Sequence, residues 1–142
     1  MNSNDSTLIG VKGWFAFSLE SEPELLRQLP VSKGIYIIKF ESTQSRKNGT
    51  SDIAYIGKAG NQDGIKHRIR QYFHPGWDNK TNIRMKKEMQ ANPNLLLGFI
   101  TTLDKESAAR LESQLLIRFE GEHKEMPPFN KQRTLIAERN KQ

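Results

Sequence analysis

The sequence predicts an α+β domain: a small three-stranded, mostly antiparallel sheet flanked by helices, in the order β-β-α-α-β-α. Three observations carry this. Two short segments, Gly34 to Phe40 and Ile53 to Gly57, are rich in β-branched and aromatic residues. Apolar residues then recur at helical spacing through Ile65, Ile69, Tyr72 and Phe73. A third apolar run, Leu95 to Leu103, leads into a long amphipathic stretch from Lys105. The chain has 142 residues, enough for one modest core.

Taken in order, residues 1–33 form a leader and a short helix packed on the core. Trp14, Phe15 and Phe17 are its docking aromatics, with the first few residues frayed. Ser21-Glu22-Pro23-Glu24 is a helix start, with Ser as cap, Pro in the first turn and acids at the positive end of the dipole; the helix stops by Pro30. The two strand segments form a hairpin. Residues 41–52, polar and without an apolar anchor, are expected as a long exposed loop between them. The helix from Ile65 ends at His74-Pro75-Gly76, and a more polar one runs from about Thr81 to Asn92. Asp104 caps the last helix, Lys105 to about Glu120. The main domain is thus 34–130, and 131–142 form a polar C-terminal tail.

Composition excludes several classes. The longest apolar run is far short of the roughly 20 residues of a spanning helix, and the first residues lack a secretory pattern. No membrane association is therefore expected. There is no cysteine, which excludes disulfides and thiolate zinc sites and agrees with a cytoplasmic location. His67, His74 and His123 are too scattered for a zinc-stabilised domain. The charge of +6 and pI of about 9.7 favour a polyanionic partner, because each phosphate neutralised releases counterions.

Within the last helix, Ala108, Leu111, Leu115, Leu116 and Phe119 make an apolar stripe that contains Glu112. A carboxylate there either reaches solvent at the stripe edge or faces a cation. Ile65, Arg68, Ile69 and Tyr72 share one helix face, so Arg68 either snorkels beside a core tyrosine or grips phosphate with paired hydrogen bonds. Residues 58–90 hold eight Lys and Arg against three acids. Arg70, Trp77, Lys80, Arg84, Lys86 and Lys87 are the candidate DNA-contacting residues, with Trp77 on a Pro-Gly turn able to stack on bases. The alternatives are a packing Trp and a solvated basic helix face.

The triplets Gly34-Ile35-Tyr36 and Tyr55-Ile56-Gly57 resemble the paired signature of the GIY-YIG nucleases. The family's pattern continues in order with Arg68, Glu112 and Asn130, so the resemblance spans about Gly34 to Asn130. Lys58 directly after the second triplet, and Tyr72 four residues after Arg68, look like the incision module of the bacterial excision-repair nuclease and some GIY-YIG restriction enzymes. Homing endonucleases of the family usually have His where Tyr72 stands. The resemblance implies a metal-dependent DNA endonuclease, a phosphodiesterase with catalytic Tyr36, Tyr55, Lys58, Arg68, Tyr72, Glu112 and Asn130.

It further implies one Mg²⁺ (or Mn²⁺) per site on Glu112, Arg68 on the scissile phosphate, and Tyr36 accepting a proton from water with Lys58 nearby. Tyr55 and Tyr72 would position water and phosphate, and Asn130 would fix the geometry; the tyrosine roles are exchangeable. The rival reading is a catalytically inactive basic DNA-binding module of the same fold. Restriction, repair and effector or phage roles all remain compatible with the sequence, and a restriction role would favour a homodimer, one active site per strand.

Overall fold

The segment Gly34–Ser45 is apolar on both faces through Ile38 and forms the inner strand β2; Thr50–Ala59 forms β3 beside it. The computed structural model describes residues 10–133, so the expected frayed start and most of the polar tail lie outside the described residues. Two further strands, β1 (Lys12–Ala16) and β4 (Leu96–Thr101), complete a four-stranded sheet in the order β1-β4-β2-β3, antiparallel at every pairing. Among the described residues no helix is long and apolar enough to cross a membrane.

The α+β class is as expected, but the strand count is corrected from three to four. The segment read as a leader supplies β1, pairing Phe15 with Leu97 and Ala16 with Leu96. β1 is a half-exposed edge strand with an irregular register, so it lacks the alternation that announces a half-buried strand. A second correction concerns residues 41–52. The two strands continue as a ribbon to a tight tip where Arg46 N–H donates to the Gly49 carbonyl at 2.9 Å. The ribbon is anchored by polar contacts, which an argument from apolar anchors overlooks. Asn48 N–H donates to the His123 carbonyl at 3.1 Å, and Lys47 N–H to the Glu125 carboxylate at 2.8 Å.

Four helices flank the sheet: α1 (Glu22–Gln28), α2 (Gly64–Phe73), α3 (Lys80–Ala91) and α4 (Lys105–His123). Ser21 takes the N-cap position of α1, yet its hydroxyl bonds the preceding turn, accepting from Ser18 N–H at 2.9 Å. Asp104 caps α4 as expected, accepting from Ser107 N–H at 2.7 Å. Two cores result. Tyr36, Ile38, Tyr55, Leu97 and Phe99 pack with Ile65, Ile69 and Tyr72 of α2 and Met85 and Met89 of α3. On the other side Ile35, Ile37, Ile53 and Ile56 meet Leu115, Leu116 and Phe119 of α4. Alternate residues of β2 thus feed opposite cores, as the period of two demands.

Candidate active site

The hairpin register places Tyr36 opposite Gly57 and Ile38 opposite Tyr55. Tyr36 and Tyr55 therefore project from neighbouring strands into the same core, with ring centroids 6.0 Å apart. Gly57 is required by this contact: a Cβ there would lie 2.6 Å from the Tyr36 hydroxyl and 2.6 Å from the Tyr55 ring. Gly34 is required by the backbone next door, since its Cβ would meet the Ile100 carbonyl oxygen at 2.1 Å. Both glycines of the paired triplets thus have packing reasons.

Above the phenols α2 contributes Tyr72 and Arg68. The Tyr72 and Tyr36 hydroxyls are hydrogen-bonded at 2.5 Å, and the Arg68 guanidinium lies 4.4 Å from the Tyr72 ring centroid. Arg68 Nη1 donates to Gln71 Oε1 at 3.0 Å and to Asn82 Oδ1 at 2.9 Å. Asn82 is itself buried at the start of α3, where its N–H donates to Asn79, the cap of that helix, at 3.0 Å. A planar cation held through both N–H bonds of Nη1 and against one face has little rotamer freedom left to lose when it meets an anion.

Electrostatics follow from burial. Desolvation pushes the Tyr36 phenol far above its usual 10.0, helped by Tyr55 and Glu112, while Arg68 and the bond from Tyr72 pull the other way. Tyr72 is raised for the same first reason and by its two phenol neighbours. Burial works to lower the Arg68 pKa, but coupling to Tyr36, Tyr72 and Tyr55 outweighs it and the net shift is upward. Tyr36 and Tyr72 therefore rest as neutral phenols beside a fixed cation. Glu112 is only 4% exposed in α4, and its charge is close enough to act on Tyr36.

A cleft of about 450 Å³ opens on this cluster, lined by Tyr55, Arg68, Lys80, Arg84 and Asn130 among others. Tyr36, Tyr72 and Glu112 are buried and do not line it. Asn130, in a short 3₁₀ turn (Pro128–Arg133), grips the outer edge of β3: its Oδ1 accepts from Ile56 N–H and its Nδ2 donates to the Ile56 carbonyl, both at 3.0 Å. Lys58 is exposed and borders a second cavity that Arg68 shares.

Of the basic candidates, Lys80 and Arg84 meet the cleft. Trp77 is 90% exposed on a turn closed by Asn79 N–H to the Gly76 carbonyl at 3.1 Å. Arg70 faces a separate hollow with Lys66 and Val31. Lys86 is half-buried and Lys87 exposed on α3, and neither lines the cleft. Sequence reasoning missed Asn79, Asn82 and Gln71. Asn79 carries a readable signal, an Asn just before a helical run; Asn82 and Gln71 are ordinary helix residues until α2 and α3 meet.

Among the described residues no three His, Asp or Glu side chains gather as a metal cage. Of the two buried carboxylates among the described residues, Asp52 and Glu112, Glu112 is the one whose charge acts on Tyr36, and a lone carboxylate would suit an ion that keeps most of its waters, as magnesium does.

Over 70 residues the chain is 34% identical to UvrABC system protein C of Gloeobacter violaceus, an alignment covering 46% of this chain and 9% of that protein. The chain thus spans less than a tenth of that relative's length. No family model and no solved structure matches it.

Proposed function

We propose that this chain is a metal-dependent DNA endonuclease of the GIY-YIG type, hydrolysing phosphodiester bonds. The observation that carries the reading is Arg68, seated against the Tyr72 ring, coupled to three phenols, and open to a cleft that also presents Lys80 and Arg84. The similarity to the excision-repair protein supports it over part of the chain.

In this reading Arg68 clamps the scissile phosphate with its remaining N–H groups, and its anchors on Gln71 and Asn82 set the plane of the fork. Glu112 would hold one Mg²⁺ or Mn²⁺. When bound, that ion would lower the pKa of water near phosphorus and offset charge on the phosphate oxygens. Tyr55, at the cleft wall, hydrogen-bonds water or phosphate. Tyr36 and Tyr72 hold protons at rest because burial disfavours phenolate, so their part is to donate and to orient. Proton acceptance by Tyr36 would have to overcome that burial. Lys58 adds positive charge beside Arg68, and Asn130 is a positioning residue that holds the strand carrying Tyr55.

The test is plasmid nicking in Mg²⁺. Glu112→Gln removes the ion ligand and almost no volume, so cleavage should fall by at least about a hundredfold while DNA binding persists. Undiminished nicking refutes the assignment of Glu112. If the wild-type protein binds DNA and never cuts it, the inactive-module reading replaces this one.

A further inference from the structure

Arg68 borders a second cavity, of about 170 Å³, whose walls include Lys58, Gly60, His67, Gln71 and Lys105. That is room for a tetrahedral oxyanion and a few waters, a water taking about 30 Å³. Among the described residues no acid lines it. The loop after β3 and the first residue of α4 meet here because Gly60 lacks a side chain: a Cβ would lie 2.9 Å from Lys105 Cγ. Lys105 is thereby brought into the same wall as Lys58, although the two are far apart in sequence.

The remaining wall is wired to Arg68. Gln71 Oε1 accepts from Arg68, and Gln71 Nε2 lies 3.4 Å from His67 Nε2. The cavity is therefore bordered by two lysines, a histidine and Arg68, and no acid stands among its described lining residues.

We propose that this cavity is a second phosphate subsite, taking the backbone phosphate adjacent to the one at Arg68, so that the chain grips two consecutive phosphates of one strand. This rests on the nuclease reading of Arg68 and extends it to Lys105 and His67. Arg68, bordering both the cleft and this cavity, is the shared wall between the two phosphates.

The experiment uses the whole chain with Glu112→Gln, in which cleavage is expected to be at least about a hundredfold slower. Its affinity is measured for short single-stranded and duplex oligonucleotides in which one phosphate at a time is a neutral methylphosphonate. Replacement at one position next to the scissile phosphate should weaken binding about tenfold. With Lys105→Ala added, that same replacement should cost less than about twofold more, and the slope of log affinity against log salt should shrink by roughly 0.7 for single strands. Lys105→Arg should restore both. Equal methylphosphonate penalties with and without Lys105, together with an unchanged salt slope, overturn the subsite and leave the nuclease reading standing. A protein that binds no DNA at any salt concentration overturns both.

Discussion

Replacing Asn130 by alanine should destabilise the domain through a strand it does not belong to. β3 is an edge strand, and its Ile56 turns N–H and C=O away from β2, toward the Asn130 amide, which satisfies both at 3.0 Å. Ile56 is 1% exposed and Asn130 7%, so neither backbone group has ready access to bulk water. Leaving a buried polar group unpaired costs about 1–3 kcal/mol, and two such groups give about 2–6 kcal/mol. Water entering the vacated space recovers part, so a loss of about 2–4 kcal/mol is expected, a large share of a domain's usual 5–15 kcal/mol (about 0.1 per residue). With a urea slope of about 1–3 kcal/mol/M, the midpoint should fall by roughly 1–2 M. Asn130→Asp should not rescue: it keeps the acceptor for Ile56 N–H but sets a carboxylate oxygen against the Ile56 carbonyl. Hydrogen exchange adds a local readout, because the Ile56 amide should lose protection while its β2-paired neighbours keep theirs. A loss under about 0.5 kcal/mol in Asn130→Ala, or full stability in Asn130→Asp, would refute the reasoning.

Three further outcomes follow. Arg68→Ala should lower plasmid nicking by about 10²–10³-fold, the scale of losing a preorganised charge contact, whereas Arg70→Ala, facing a different hollow, should change it little; the reverse ranking would mean the wrong face of α2 was assigned. The Tyr36 and Tyr72 pKa values are raised above 10.0 in the fold, so their contribution is intact below that pH and is lost as pH rises beyond it. Unfolding measured from pH 8 to 11 should show that decline in the wild type and a shallower one in Tyr36→Phe/Tyr72→Phe; identical slopes would count against the buried pair. Trp77→Ala should leave the unfolding midpoint unchanged, since the ring is 90% exposed, but weaken DNA binding about tenfold if a base stacks there. Unaltered affinity would remove Trp77 from the interface.

What could be read from the sequence is what local periodicity encodes. The strand carrying Tyr36 was legible because an inner strand is apolar on both faces, and the helix carrying Arg68 and Tyr72 because i, i+3, i+4 and i+7 fall on one side. Asp104 announced its helix by side-chain chemistry alone. β1 was not legible, because an edge strand is held by the open backbone of its neighbour, and Lys12-Gly13-Trp14-Phe15-Ala16 has no pattern of its own. The ribbon past Phe40 failed for a related reason: its anchors, Glu125 and the His123 carbonyl, lie at the far end of another helix. The basic segment read as one surface divides in space. Lys80 and Arg84, one turn apart, meet the cleft, while Arg70 turns to another hollow. Asn82 became a ligand of Arg68 only through the packing of α3 on α2.

The composition of the buried cluster bears on whether it serves the fold or a reaction. The two glycines of the triplets are accounted for by close contacts, with the Ile100 carbonyl and with the phenols, so they would be needed in any protein of this shape. The hydroxyls are different. Tyr36 and Tyr72 are 1% and 0% exposed, and phenylalanine would fill the same volume without desolvating a hydroxyl, a group whose burial brings a penalty unless it is bonded. Their mutual bond offsets that penalty but adds nothing that two Phe rings would lack in packing. The same holds for Arg68 beside them and for Glu112 in an otherwise apolar stripe, since a charge removed from water is weak support for stability. A core under pressure only to pack would discard all four polar groups. Their presence together, with Arg68 reaching a cleft that also holds Lys80 and Arg84, is the pattern expected where a protein retains costly groups for chemistry.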